Sequence, residues 1–126
     1  MAWYTVPRYH SAALKRQRKG TKRMKSWHTS ETDALFEAIL SLRTPEECYA
    51  FFEDACTIKE ITEIAQRLKV AKLLQQGASY HAISEETGVS TATISRVNKC
   101  LAYGNGGYAL AIERTTEQEP KGEPSS

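Results

Sequence analysis

The sequence predicts an all-α fold. Three features carry that prediction: hydroxyl-capped helix starts followed by an acid three residues on, apolar residues recurring at three and four, and no strand-like alternation of any length. Ser30, with Asp33 three positions later, opens "ALFEAILSL" and puts Leu35, Phe36, Ile39 and Leu40 on one face. Thr44-Pro45-Glu46-Glu47 supplies a capping box with proline at the first helical position, and the helix it starts presents Tyr49, Phe52 and Cys56. Thr57 with Glu60 repeats the box and begins "IKEITEIAQRLKVAKLLQQG". Here Ile58, Ile61, Ile64, Ala65, Leu68, Ala71 and Leu74 form the main stripe, with Val70 and Leu73 beside it. The spacing predicts a helix of roughly 28 Å at 1.5 Å per residue. Gly77 closes it, just past the C-cap.

The segment after that glycine, "HAISEETGVSTATISRVNK" (81–99), has a different organisation. Ile83 precedes Gly88 by five, Val89 follows it, and Ile94 and Val97 come six and nine later. That is helix-turn-helix spacing, expected over residues 79–103. Ile83 of the first helix must meet Ile94 and Val97 of the second, with Ser84 where the helices approach too closely for a large side chain. Gly88 is expected in the left-handed region, and Ser90 as the cap of the second helix. Ile94, Val97 and Leu101 then point inward, while Ala92, Ser95, Arg96 and Lys99 point outward and Thr91 and Thr93 lie near the exposed N-terminus. Small and hydroxyl-bearing side chains suit a helix entering a DNA major groove, with methyl groups against thymine. Arg96 and Lys99 suit phosphates or a guanine edge.

Charge and composition bound the function. The chain has 126 residues and a net charge of +2, unevenly distributed. Residues 1–25 hold eight basic side chains and no acid, leaving nine basic against fifteen acidic residues elsewhere, a balance of −6. The domain organisation expected is a basic disordered arm over 1–25, a helical domain over 26–113 and a disordered tail over 114–126. Met24 offers an alternative start for the protein. No apolar run approaches the ~20 residues of a membrane helix, and the N-terminus lacks a signal-peptide pattern, which predicts a cytoplasmic protein. Cys48, Cys56 and Cys100 show no CxxC spacing and are expected as buried reduced thiols. The helices are apolar on more than one side, more than a monomer of five short helices can cover, so a homodimer sharing one core is expected.

Other chemistry finds little support. His10, His28 and His81 are far apart and form no ligand spacing, so no metal or other cofactor is expected. Glu46-Glu47 and Glu85-Glu86 read as helix charge complementarity rather than an acid/base pair. "YGNGGY" (103–108) follows a helix rather than a strand, which fails the context of a phosphate loop; it is expected to end the last long helix in a flexible exit, before a short turn in "ALAIERT". No enzyme is expected.

The stretch "TIKEITEIAQRLKVAKLLQQGASYHAISEETGVSTATISRVNKCL" (57–101) resembles the Trp repressor family. "LFEAILSL", "EECYAFFEDACT", "AQRLKVAKLL" and "GVSTATISRVNKCLAYGNGGY" are similar to the YerC/YecD branch of that family, along nearly all of residues 26–113. The resemblance implies an intertwined homodimer with two reading helices, Thr91, Ala92 and Ser95 facing bases. It also matches Arg67 and Arg96 to the two arginines that hold the family's co-repressor, and Thr57 to a further pocket position. Two departures disfavour tryptophan as a ligand: Val97 stands for a pocket glycine and Cys100 for a serine. Another effector, or none, stays open. His81 and Ser84 stand where the repressor carries basic residues, which weakens phosphate anchoring, although a protonated His81 would contribute.

The expected function is a dimeric, cytoplasmic, sequence-specific DNA-binding regulator, a repressor rather than an activator. Its DNA-contacting set is His81, Ser90, Thr91, Ala92, Thr93, Ser95, Arg96 and Lys99, and its ligand set Thr57, Arg67, Arg96 and Cys100. The formal charge over 79–103 is zero, Arg96 and Lys99 against Glu85 and Glu86. That neutrality keeps an alternative from another class in play: a helical interaction module binding a protein or RNA partner. A third reading is a small-molecule sensor with its ligand between Arg67 and Arg96.

Overall fold

A computed structural model of the chain describes residues 26–117. Those residues form six helices: α1 (Ser30–Leu40), α2 (Pro45–Ala55), α3 (Ile58–Gln75), α4 (Tyr80–Thr87), α5 (Thr91–Tyr103) and α6 (Gly107–Glu117). No strand occurs among the described residues, and the fold is all-α. The chain divides into two compact units, one through Ala55 and one from Cys56.

Local chemistry explains the helix starts. α1 is capped by Thr29, not Ser30 as the sequence suggested. Its hydroxyl accepts the Thr32 N–H at 3.2 Å while the Thr32 hydroxyl accepts the Thr29 N–H at 2.8 Å. Thr32 therefore completes a reciprocal box one residue earlier than the serine would. At α2 the Thr44 hydroxyl accepts the Glu47 N–H at 3.1 Å, but Glu47 reaches back one residue further than a standard box, to the Arg43 N–H at 2.8 Å. Within α2, Phe51 and Phe52 meet edge to face at 5.3 Å between ring centres.

The core belongs to the second unit. Val70 and Ala71 of α3, Ile83 of α4, Val89 of the turn, Ile94 and Val97 of α5, and Ile112 of α6 are buried together. Leu68, Leu73, Leu74, Leu101 and Tyr108 pack around them. Val70, expected beside the main stripe of the long helix, lies at the centre of this cluster. The reason is the placement of α4 and α5 against the C-terminal half of α3, which rotates the contact toward Val70 and Ala71. The N-terminal half of the expected stripe stays open: Ile58 is 65% and Ile64 52% exposed.

The end of α3 is a Schellman motif. Ala78 N–H donates to the Leu73 carbonyl and Gly77 N–H to the Leu74 carbonyl, both at 3.0 Å, with Gly77 at φ +87°. Two expectations at the far end change. In place of a flexible exit and a short turn, an eleven-residue helix begins at Gly107, inside "YGNGGY", it runs past residue 113 to Glu117, and Ile112 ties it into the core. Its anchors are buried Ile112 and partly buried Tyr108, one turn apart, too sparse a signal for periodicity to register. Contrary to the expectation of buried thiols, Cys48 and Cys100 are exposed and Cys56 is half-buried; Cys56 lies between α2 and α3, and Cys100 on the side of α5 away from Ile94 and Val97. Residues 1–25 and 118–126, where the arm and most of the tail were expected, fall outside the described residues.

Candidate nucleic-acid interface

The helix-turn-helix is built from α4, a three-residue turn and α5. Ser79 caps α4, accepting the Ala82 N–H at 3.1 Å. α4 ends on Gly88 at φ +73°, ψ +5°, whose N–H donates to the Ser84 carbonyl at 2.8 Å. Only glycine adopts that left-handed conformation without steric cost. A second device braces the same corner. The Thr87 hydroxyl donates to the Ile83 carbonyl at 2.7 Å and accepts the Val89 N–H at 3.1 Å. It bridges the last turn of α4 to the residue that re-enters the core, a role the sequence reading missed. A threonine immediately before the turn glycine was the available signal. Ser90 then caps α5, accepting the Thr93 N–H at 3.3 Å.

α5 divides cleanly. Ile94 and Val97 are buried, and Leu101 half-buried, against the core. Thr91, Ala92, Ser95, Arg96, Lys99 and Cys100 are exposed. Thr93 is half-buried, and its hydroxyl accepts from Ser90 Oγ at 3.1 Å, so both hydroxyls serve the cap. The same outward side continues to Tyr103, the last residue of α5, which is fully solvent-facing. The sequence reading did not single it out.

The zero formal charge of the motif conceals an unequal pairing. Glu86 of α4 faces Lys69 of α3 at 3.4 Å, and Glu85 faces His81 at 3.3 Å one helical turn away. Arg96 and Lys99 are not paired with a carboxylate among the described residues. The two carboxylates thus have local partners while the two cations of α5 remain available to an anion. The Lys69–Glu86 pair joins residues seventeen apart, a separation no local spacing rule detects.

The four ligand-set residues are spread out in the chain. Thr57 is the cap of α3: its hydroxyl accepts the Glu60 N–H at 3.1 Å and its N–H donates to the Glu60 carboxylate at 2.8 Å. Arg67, half-buried, is ten residues further along the same helix, about 15 Å by the helical rise. Arg96 and Cys100 are exposed on α5, one turn apart. Between them Val97, only 1% exposed, is part of the core. No group of three or more His, Cys, Asp and Glu that could hold a metal ion occurs among the described residues.

The match to a known family follows this architecture. The family description "Trp repressor protein" matches residues 30–116, from the first residue of α1 to the last turn of α6. The chain belongs to the Trp repressor family. Among curated relatives, YerC of Bacillus subtilis strain 168, an uncharacterised protein, is 58% identical over 89 residues, covering 71% of this chain and 86% of YerC. Two solved structures share the fold. A TrpR-like protein from Eubacterium eligens has 52% identity and a TM-score of 0.69, covering 74% of this chain and 96% of its own. A candidate Trp repressor from Staphylococcus aureus has 45% identity and a TM-score of 0.71, covering 76% and 96%. The Trp repressor match begins at Ser30, so the basic residues of 1–25 lie outside it.

Proposed function

We infer that the chain is a sequence-specific DNA-binding regulator of transcription, a repressor, acting as a cytoplasmic homodimer without enzymatic activity. One observation carries the reading. A buried Ile94–Val97 edge fixes α5 on the core, while Thr91, Ala92, Ser95, Arg96 and Lys99 stand exposed together on its other side. Membership of the Trp repressor family supports it. In this reading α5 enters the major groove, Thr91, Ala92 and Ser95 meet base edges, and Arg96 and Lys99 meet phosphates or a guanine. Ser90 and Thr93 hold the helix N-terminus toward the backbone, and His81 lies at the flank. The dimer presents two such helices to half-sites about 34 Å apart. Exposed Leu35, Phe36 and Leu40 of α1, and Ile58 and Ile64 of α3, are the apolar surface a second copy would cover.

The test is binding of the purified protein to fragmented source DNA at moderate salt, with the Arg96→Ala/Lys99→Ala variant as control. Enrichment of a twofold-symmetric site, lost in the variant, is the expected result. A folded dimer that enriches nothing sinks the reading. A specific observation favours the second reading, a protein- or RNA-binding module: Glu85 and Glu86 of α4 offset Arg96 and Lys99 of α5, leaving the motif formally neutral. Salt separates it from DNA binding, because affinity for duplex DNA falls steeply with salt and affinity for a protein interface does not.

A further inference from the structure

We propose that Asn105 is a self-modification site. In the folded protein it deamidates spontaneously through the Gly106 nitrogen, and the isoaspartate that results loosens α6 from the core. The proposal does not depend on the DNA-binding reading above.

The reaction needs only an asparagine, the N–H of the residue after it, and water. The Gly106 nitrogen gives up its proton to the solvent and attacks Cγ of Asn105. The new N–Cγ bond forms, the Cγ–Nδ2 bond breaks, and Nδ2 leaves as ammonia. Water then opens the resulting succinimide ring at either of its two carbonyls. One opening gives aspartate. The other gives isoaspartate, whose main chain runs through the former side chain.

Three observations select Asn105. First, Gly106 has no β-carbon to hinder the attack, and one built there, at φ +80°, would meet nothing within 4 Å. Secondly, Asn105 and Gly106 are both exposed in the link between α5 and α6. Neither the Asn105 side chain nor the Gly106 N–H has a hydrogen-bond partner among the described residues, so the nucleophile is not tied up. Thirdly, the chain carries its own controls. Its only other asparagine, Asn98, is also exposed, but it lies within α5 and the following Lys99 N–H belongs to the helical ladder. Cyclisation there requires α5 to open locally. Gln76-Gly77 is a second amide–glycine pair, but the Gly77 N–H donates to the Leu74 carbonyl at 3.0 Å and a glutamine must close a larger ring. Exposure does not separate the two asparagines; the freedom of the next amide does.

The position gives the change a consequence. The link from α5 to α6 is only Gly104 to Gly106, and isoaspartate lengthens its main chain by one atom. Buried Ile112 and partly buried Tyr108 hold α6 on the core, and Tyr108 stands two residues after Gly106. A close-packed core does not absorb such a shift in both anchors without loss of contact. Either product also adds a negative charge two residues beyond Tyr103, where α5 and with it the reading head, α4 with α5, comes to its end.

The experiment incubates the full chain in mildly alkaline heavy-oxygen water, folded and in guanidinium, and follows both asparagines by peptide mass spectrometry. The heavy oxygen marks conversion during the incubation apart from conversion during digestion. In the folded protein Asn105 is expected to convert at least about tenfold faster than Asn98, and within about threefold of its own rate in guanidinium. A folded rate no greater than that of Asn98, or more than about tenfold below the unfolded rate, overturns the proposal. Gly106→Ala sets a β-carbon beside the attacking nitrogen and is expected to slow conversion of Asn105 about tenfold. An unchanged rate overturns the route through Gly106. Alanine is strained at that φ, so the same comparison is made in guanidinium, where folding plays no part. Amide hydrogen exchange tests the loosening. In aged protein carrying isoaspartate, amides around Ile112 are expected to exchange about tenfold faster than in fresh protein, with Ile83 of α4 unchanged. Equal exchange in aged and fresh protein overturns that part. Asn105→Asp adds the charge without the extra main-chain atom and is expected to leave α6 exchange as it was; exchange as fast as in the aged protein overturns the main-chain cause.

Discussion

Single side chains decide the sharp features of the helix-turn-helix, and their roles are separable by mutation. A β-carbon at Gly88 would meet nothing within 4 Å, so the only penalty for Gly88→Ala is the left-handed backbone at φ +73°. That substitution is expected to cost about 1–2 kcal/mol in denaturant unfolding, with no change in the slope. Ser95→Ala removes an exposed hydroxyl with no side-chain hydrogen bond among the described residues. Stability should stay within about 0.5 kcal/mol, while the preferred DNA sequence changes in a selection experiment. An unchanged preference would mean Ser95 does not face bases. At the start of α3, hydrogen bonds from the Thr57 backbone and hydroxyl lower the pKa of Glu60 from its ordinary 4.5. Stability from this box is therefore fully present above that value and lost as pH falls through the lower, folded one. Glu60→Gln should flatten the acid side of the melting-temperature profile below pH 4.5 and converge on the wild type there.

At the scale of elements, the charge of the proposed interface lies in two cations on one helix. If Arg96 and Lys99 of both protomers each neutralise a phosphate, four contacts give a log–log salt slope of about −3.6. Arg96→Ala/Lys99→Ala should remove that part of the slope, and a slope unchanged in the double variant would place the phosphate contacts elsewhere. Lys69→Ala should weaken DNA binding without touching DNA, because it leaves the Glu86 carboxylate uncompensated beside the head. The elements themselves were readable in advance where local chemistry dominates. The boxes at Thr44 and Thr57, the glycine stops at Gly77 and Gly88, and the Ile83–Ile94–Val97 contact all depend on residues a few positions apart. What escaped reading depends on tertiary placement. Val70 became core because two later helices land on that side of α3. Lys69 met Glu86 across a helix junction, and the helix over Gly107–Glu117 is fixed only by Ile112 and Tyr108. Thr29, with Thr32 as its partner in the box, displaced Ser30 from the first cap through a competition between adjacent hydroxyls that composition does not rank.

At the scale of the molecule, the proposed homodimer has to account for the distribution of buried and exposed apolar side chains. The long helix divides along its length: its C-terminal half is sealed by α4, α5 and α6, while Ile58 and Ile64 of its N-terminal half remain more than half exposed. Leu35, Phe36 and Leu40 repeat the pattern on α1. A homodimer that buries these residues makes Ile64 the discriminating position. In the isolated chain an aspartate there would sit in water at little cost; in a dimer interface it would be an unpaired buried charge, at a cost of several kcal/mol. Ile64→Asp is therefore expected to keep its helical content, because the core around Val70 and Ile83 does not involve it, yet to sediment as a monomer where the wild type sediments as a dimer. The same variant should lose DNA affinity by about 10²–10⁴-fold, since two linked heads gain from effective concentration and one does not. Its binding should also become indifferent to the spacing between half-sites, whereas the wild type should prefer centres about 34 Å apart. A wild type that sediments as a monomer, or an Ile64→Asp variant that remains dimeric with full affinity, would remove this face from the assembly and leave its apolar residues to a different partner.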